Sequence, residues 1–273
     1  RTAESLGIPV PHTFYVDNPA APPDFQDTLL FPVVLKPSNS WFQLPDQWQR
    51  AAVRFPTSQR VLKKITESEP VFKTQPYMIQ ECVAGQGQGV FALYDHGKPL
   101  VFFAHRRLRE KPPSGGVSVL SESIPVDPVM EKHARTLLDH VGWHGVAMVE
   151  FKVAEDGTPY LMEINTRFWG SLQLAIDAGV DFPWLLYQLV CGERPDPVSN
   201  YKTGRRLRWL LGDLDSLYLT LRDREHYTVA DKLRAVMNFM TPSPFRTRHE
   251  VNRWSDPRPG WCELMDYIRD LFR

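Results

Sequence analysis

The sequence predicts an α+β (mixed α/β) fold built around antiparallel sheets. Five strand candidates fall at 77–82, 90–94, 100–107, 146–153 and 158–164. The dipeptide Asp156-Gly157 between the last two is a tight-hairpin signal. The helical patterns alternate with strands but lack the regular spacing of βαβ units.

The 273 residues, 42% of them hydrophobic, are enough to bury cores in one or two compact domains. Lys plus Arg and Asp plus Glu are 32 each, so no net field gathers nucleic acid or an acidic membrane. The longest apolar runs fall far short of the roughly 18 to 20 residues of a bilayer span, and no charged-then-apolar leader opens the sequence. Cys82, Cys191 and Cys262 are odd in number and widely spaced, which disfavours a disulfide framework or structural zinc and points to the cytoplasm. Proline is in excess, 24 residues, and predicts many rigid loops.

Residues 1–7 read as the last turns of a helix stopped by Gly7, so a fragment is expected. A strand follows at 31–36, then a Trp-rich stretch and a helix around 59–68. The segment 127–141 has an Asp127 cap, Pro128 at the first helical position and apolar Met130, Ala134, Leu137, Leu138 and Val141, with Gly142 as the stop. Two further helices are expected over 171–178 and 182–191, the second capped by Asp181. The organisation expected is 1–84 and 85–195 as two α+β subdomains, and 196–273 as a C-terminal helical extension with helices at 228–240 and 261–272. That extension carries 14 Lys and Arg against 11 Asp and Glu, an excess too small to argue for nucleic acid.

The chemistry concentrates in residues 145–170. If Asp156 and Gly157 form a two-residue type I′ loop, Glu155 faces Thr158, and Glu150 lies directly across from Glu163. Period-2 alternation puts Met148, Glu150 and Lys152 on one face, with Leu161, Glu163 and Asn165 facing them from the partner strand. Opposed like charges are unfavourable unless something intervenes. Two carboxylates and the Asn165 amide oxygen make an all-oxygen set suited to Mg²⁺ or Mn²⁺. Arg167 projects near them if the chain stays extended. The competing reading leaves both glutamates facing water at different heights, with one of them paired to Lys152 or Arg167; apolar flanks favour burial instead.

Upstream, residues 105–111 gather Arg106, Arg107, Arg109 and Lys111, which invites an anion. The following Pro-Pro-Ser-Gly-Gly stretch either wraps a phosphate with its N–H groups or is an ordinary loop. Lys36 closes an apolar strand and points either to solvent or into a cleft. The glycines of 85–89 precede a strand rather than a helix, so the dinucleotide fingerprint is rejected.

In order, Phe-Pro-Val-Val-Leu-Lys36, Met-Ile-Gln-Glu-Cys-Val-Ala-Gly85, His-Arg-Arg-Leu-Arg-Glu-Lys-Pro-Pro-Ser-Gly-Gly116, Met-Val-Glu-Phe-Lys152 and Leu-Met-Glu-Ile-Asn-Thr-Arg167 resemble an ATP-grasp domain of the carboxylate–amine ligase and carbamoyl-phosphate-synthase-like kind. The resemblance spans roughly residues 1 to 195, and implies an N-terminal Rossmann-like domain that this sequence is expected to lack. It implies ATP between two α+β subdomains, with Lys36 on its phosphates and adenine along Gln80, Glu81, Cys82 and Val83. It places Mg²⁺ (or Mn²⁺) on Glu150, Glu163 and Asn165. Arg167 would contact the transferred phosphate or incoming carboxylate, and Arg106 or Arg107, on opposite strand faces, would steady the triphosphate. Gln86 and Gln88 stand where the family often has a ribose-holding acid.

The implied activity is an ATP-dependent ligase, with a small-molecule carboxylate activated as acyl phosphate for attack by an amine or similar nucleophile. Phosphotransfer to a non-carboxylate acceptor and a non-catalytic nucleotide-binding module are the alternatives. The implied partners are small molecules, with no nucleic acid and no membrane; a homodimer is admitted without being required.

Overall fold

A computed structural model describes residues 1–22, 29–39, 41–43, 47–196, 198, 200–241 and 246–271. The chain divides into two compact units, Arg1–Gly85 with Ala154–Met162, and Gln86–Val153 with Glu163–Arg273.

The first unit contains α1 (Thr2–Ser5), β1 (Thr13–Val16), β2 (Val33–Pro37), β3 (Trp41–Gln43), β4 (Trp48–Arg50), α2 (Gln59–Ser68), α3 (Pro70–Thr74) and β5 (Tyr77–Glu81). β5 is the centre of a three-stranded antiparallel sheet, flanked by β1 and β2. Its core joins Val16, Val33, Leu35 and Ile79 to Leu62 of α2 and Val71 and Phe72 of α3. β2 begins two residues later than expected, after Pro32, which has no N–H to give a ladder.

The second unit continues with β6 (Gln86–Asp95), β7 (Lys98–Lys111), β8 (Val117–Ile124), α4 (Pro128–His140), β9 (Gly145–Val153), the last three residues of β10 (Pro159–Asn165, whose first four count with the first unit), α5 (Leu172–Ala178), α6 (Phe182–Val190), β11 (Arg206–Arg208), α7 (Leu210–Arg222), α8 (Val229–Met240), β12 (Thr247–His249) and α9 (Arg258–Leu271). Its seven-stranded sheet runs β10-β9-β6-β7-β8-β11-β12, with β11 and β12 parallel. Val90 to Tyr94 on β6 are all fully buried, as a central strand covered on both faces requires. Phe91, Leu93, Phe103, Val146 and Met148 pack with Leu174, Ala175 and Phe182 of α5 and α6. The Asp127 carboxylate caps α4 by accepting from the Val129 and Met130 N–H groups at 2.9 and 3.0 Å.

Several expectations are corrected. The β9–β10 turn is a three-residue loop. Ala154 N–H donates to the Thr158 carbonyl and Gly157 N–H to that of Ala154, both at 3.0 Å, so Ala154 rather than Glu155 faces Thr158, and the pairing from which Glu150 was expected directly across from Glu163 does not form. A type I′ turn needs positive φ at both central residues, and Gly157 (φ 85°) has it while Asp156 does not. The Asp156 carboxylate instead accepts from the Thr158 N–H at 2.9 Å. β7 runs four residues past Arg107, the glycines of 87 and 89 lie inside β6, and β8 and α7 were not anticipated. Residues 196–273 carry helices as expected and also give β11 and β12 to the main sheet. α9 starts three residues before Trp261; its expected last residue, Phe272, lies outside the described residues. Among the described residues no helix is long and apolar enough to cross a membrane.

Candidate active site

Three adjacent strands of the second unit share one face, and on each the character of that face changes along the strand. On β9, Val146 and Met148 belong to the core, and Glu150 and Lys152 follow. On β7, Val101 and Phe103 give way to His105 and Arg107. On β6, Leu93 and Phe91 are followed by Gly89 and Gly87. The register aligns the changes, pairing Phe91 with both Met148 and Phe103, and Gly89 with both Glu150 and His105. Chemistry therefore begins on all three strands just beyond the apolar packing under α5 and α6.

The two glycines leave a trough on β6, and Arg107 lies in it. A Cβ at Gly87 would stand 2.9 Å from Arg107 Cδ, so an Ala there would obstruct the side chain. Crossing the trough, Arg107 Nη2 reaches Glu150 Oε1 on β9 at 2.6 Å. Its Nη1 donates to Glu110 Oε1 at 3.0 Å and to the Gly116 carbonyl at 3.1 Å. Both side chains of the Arg107–Glu150 pair are 13% exposed. Burial pushes the Glu150 carboxyl up, to about 7; Arg107 pulls it down and the negative charge of Glu163 raises it again. Asn165 Nδ2 donates to Glu163 Oε1 at 2.8 Å and approaches Met148 Sδ at 3.9 Å. Asn165 is thus joined to Glu163 on β10, and Glu150 on β9 is near enough to feel the Glu163 charge.

His105 lines the same face, 1% exposed, its Nδ1 3.1 Å from Ser171 Oγ. Burial, reinforced by the Arg107 charge, lowers its pKa to about 3 and keeps the ring neutral. It forms an uncharged wall beside the ion pair.

Of the basic residues upstream, Arg107 alone is paired to Glu150. Arg106 Nε donates to Glu122 Oε2 at 2.9 Å, and Arg206 Nε to Glu122 Oε1 at 2.8 Å, a cross-strand triad on β7, β8 and β11. Arg109 grips both oxygens of Asp213 on α7 at 2.6 Å, Arg208 also reaches that carboxylate at 2.6 Å, and Lys111 pairs with Asp215. The run that invited an anion is therefore largely answered by acids of the chain itself. Pro112 to Gly116 form the β7–β8 loop, and the contact it makes to Arg107 is through a carbonyl. Arg167 stands in a bend just past β10, exposed, donating to the Phe168 carbonyl at 2.9 Å. Lys36 and Gln80 to Val83 belong to the first unit: Lys36 sits on β2 opposite Met78, and the buried Gln80 donates to Thr13 Oγ1 at 3.0 Å. The trough and His105 were missed from sequence; glycines two apart inside a strand were the available signal for the trough.

The family match places the chain among ATP-grasp proteins. The family model described as "ATP-grasp in the biosynthetic pathway with Ter operon" matches residues 73–212, and the chain belongs to that family. Similar solved structures include N5-carboxyaminoimidazole synthetase from Staphylococcus aureus, with TM-score 0.58 and 15% identity over 82% of this chain and 58% of that one. Biotin carboxylase from Campylobacter jejuni follows with TM-score 0.54 and 15% identity over 75% and 47% of the two chains. L-amino acid ligase from Bacillus licheniformis has TM-score 0.50 and 19% identity over 69% and 45%. The chain spans about half the length of these structures. No curated protein sequence matches it. What the chain shares with these structures is the fold.

Proposed function

We propose that the chain is an ATP-dependent ligase that activates a small-molecule carboxylate as an acyl phosphate, which an amine or similar nucleophile then attacks to form a carbon–nitrogen bond. The observation that carries the reading is the meeting of Arg107 and Glu150 on a sheet face where Glu150 also feels the charge of Glu163. Two carboxylates and an amide form a hard, all-oxygen donor set, which fits Mg²⁺ (or Mn²⁺). Glu150, Glu163 and Asn165 would hold the ion. When bound, magnesium would neutralise phosphate charge and orient the transferred group.

The chain's own groups would do the rest. Arg107, anchored at Glu110, would turn from Glu150 to the transferred phosphoryl oxygens and stabilise their charge. Arg167 would hold the incoming carboxylate, and neutral His105 would keep the wall of the site uncharged beside them. Lys36 on the ATP phosphates, and adenine along Gln80, Glu81, Cys82 and Val83, rest on the order of the motifs. Arg106 would act through Glu122 on the sheet, not on nucleotide. Support for the nucleotide and ion comes from structurally similar proteins solved with ADP and with MgADP. Three free cysteines support a cytoplasmic setting.

The test is Glu163→Gln. Metal-dependent release of ADP across a panel of carboxylates and amines, present in the full-length protein, is lost in the variant; normal turnover would exclude the metal role. In hydroxylamine an acyl phosphate yields a hydroxamate, whereas phosphotransfer to another acceptor leaves a stable phosphorylated product.

A further inference from the structure

At the opposite ends of β6 and β9 from Glu150, Asp95, His96 and His144 bring three ligand atoms within 4.8 Å of one another. His96 and Gly97 are the two central residues of the β6–β7 hairpin, flanked by the Asp95–Lys98 pair, and both have positive φ, 42° and 79°. That is the type I′ geometry, in which Asn, Asp or Gly is the usual first residue, and His is among the other residues that reach positive φ most readily.

The turn is fastened to the loop ahead of β9. Gly97 N–H donates to the Trp143 carbonyl at 2.7 Å, and His96 N–H to His144 Nδ1 at 3.3 Å. The two imidazoles stack with centroids 4.2 Å apart and planes 16° from parallel. Asp95 Oδ1 lies 3.5 Å from His144 Nδ1 and 4.0 Å from His96 Nε2.

We propose that Asp95, His96 and His144 form a binding site for a borderline divalent transition metal, Zn²⁺ above all, which clamps the β6–β7 turn to the α4–β9 loop. A tetrahedral ion with bonds of about 2.0 Å needs donors about 3.3 Å apart and must lie in the plane of each ring, so the exposed His96 side chain has to turn out of its stack on His144 to share the ion with it and Asp95. His144 Nδ1 would exchange its long contact with the His96 amide for the ion. Two imidazole nitrogens and one carboxylate oxygen suit Zn²⁺, Co²⁺ and Ni²⁺ far better than Mg²⁺. The half-exposed His144 and exposed His96 leave an open path, and water completes the coordination. Lys98, across the turn from Asp95, is exposed, and its charge is screened by solvent.

The Tyr94–Gly145 pair beside this cluster and the Gly89–Glu150 pair are five residues apart along the strands, about 17 Å at about 3.3 Å per residue. The site is thus independent of the carboxylates proposed to serve ATP.

The experiment is a Co²⁺ titration of the full chain followed by visible absorption, with Zn²⁺ as competitor. With Mg²⁺ in excess to fill the carboxylate site, one equivalent is expected, with ligand-field bands, no sulfur-to-cobalt charge-transfer band from Cys82, Cys191 or Cys262, and full displacement by Zn²⁺. His144→Ala and His96→Gly should each weaken binding by more than the tenfold to roughly hundredfold that loss of an outer-shell partner costs. Glycine suits the turn at position 96, so that variant folds. Glu163→Gln should bind as the parent does. Absence of stoichiometric binding, a thiolate band, or unchanged binding in both histidine variants would overturn the proposal.

Discussion

Arg107 and Glu150 sit on strands that are not neighbours, and they meet at 2.6 Å because the strand between them carries glycine where the guanidinium crosses. The ion pair is buried, satisfied on the arginine side by Glu110 and the Gly116 carbonyl, and placed where the apolar stripe of the sheet ends.

Gly87→Ala tests the crossing directly. Its φ lies outside the left-handed region, so the added methyl introduces contact with Arg107 Cδ and Glu110 Oε1 without backbone strain. ADP release should fall about tenfold or more, while urea stability changes by about 1 kcal/mol. Turnover equal to the parent would show that the position of Arg107 is immaterial.

The raised pKa of Glu150 gives stability a definite slope. A carboxyl held near 7 when folded and near 4.5 when unfolded binds more protons in the folded state between those values. Metal-free protein should therefore lose stability as pH rises from about 4.5 to 7, by at most about 1.4 kcal/mol per pH unit from this group. Urea titrations of Glu150→Gln beside the parent should show that slope removed. The proton also competes with a cation, so Mn²⁺ uptake at this site should strengthen as pH rises through 7.

His105 predicts the opposite sign. Its folded pKa, about 3, lies below the ordinary 6.5, so the unfolded chain takes the proton first and stability is lost as pH falls from 6.5 toward 3. His105→Gln should flatten that window in unfolding titrations. An imidazole NMR signal titrating near 6.5 in the folded protein would contradict the buried, neutral ring.

Asp213 is 1% exposed and answers two arginines, Arg109 from β7 and Arg208 from β11. Asp213→Ala leaves both cations facing a buried gap. A loss of about 3 to 5 kcal/mol is expected from urea denaturation. A loss below about 1 kcal/mol would mean that solvent reaches the arginines.

The legible parts of the fold were those where chemistry and periodicity agree. Asp127 and Pro128 announced α4, and the β9–β10 hairpin was visible around its Asp-Gly pair even though the loop type was not. β8 escaped because it is covered on both faces and carries Ser121, Glu122 and Ser123, so neither apolar continuity nor alternation marked it. α7 escaped for a sharper reason: it buries Gly212, Asp213, Ser216 and Thr220 and exposes Leu214, Tyr218, Leu219 and Leu221, reversing the usual amphipathic pattern. In the candidate site, strand parity separated Arg106 from Arg107 in sequence, but only the register could say which of them faces Glu150.

The parallel ribbon of β11 and β12 along β8 bears on where the protein can be trimmed. The matched family region ends at 212, ahead of β12 and within α7. A truncation there would strip a neighbour from β11 and uncover its hydrogen-bonding edge, the kind of surface through which chains zip together into aggregates. Loss of solubility after such a cut would report this unprotected border together with Arg109 and Arg208 stripped of Asp213, rather than damage to catalysis.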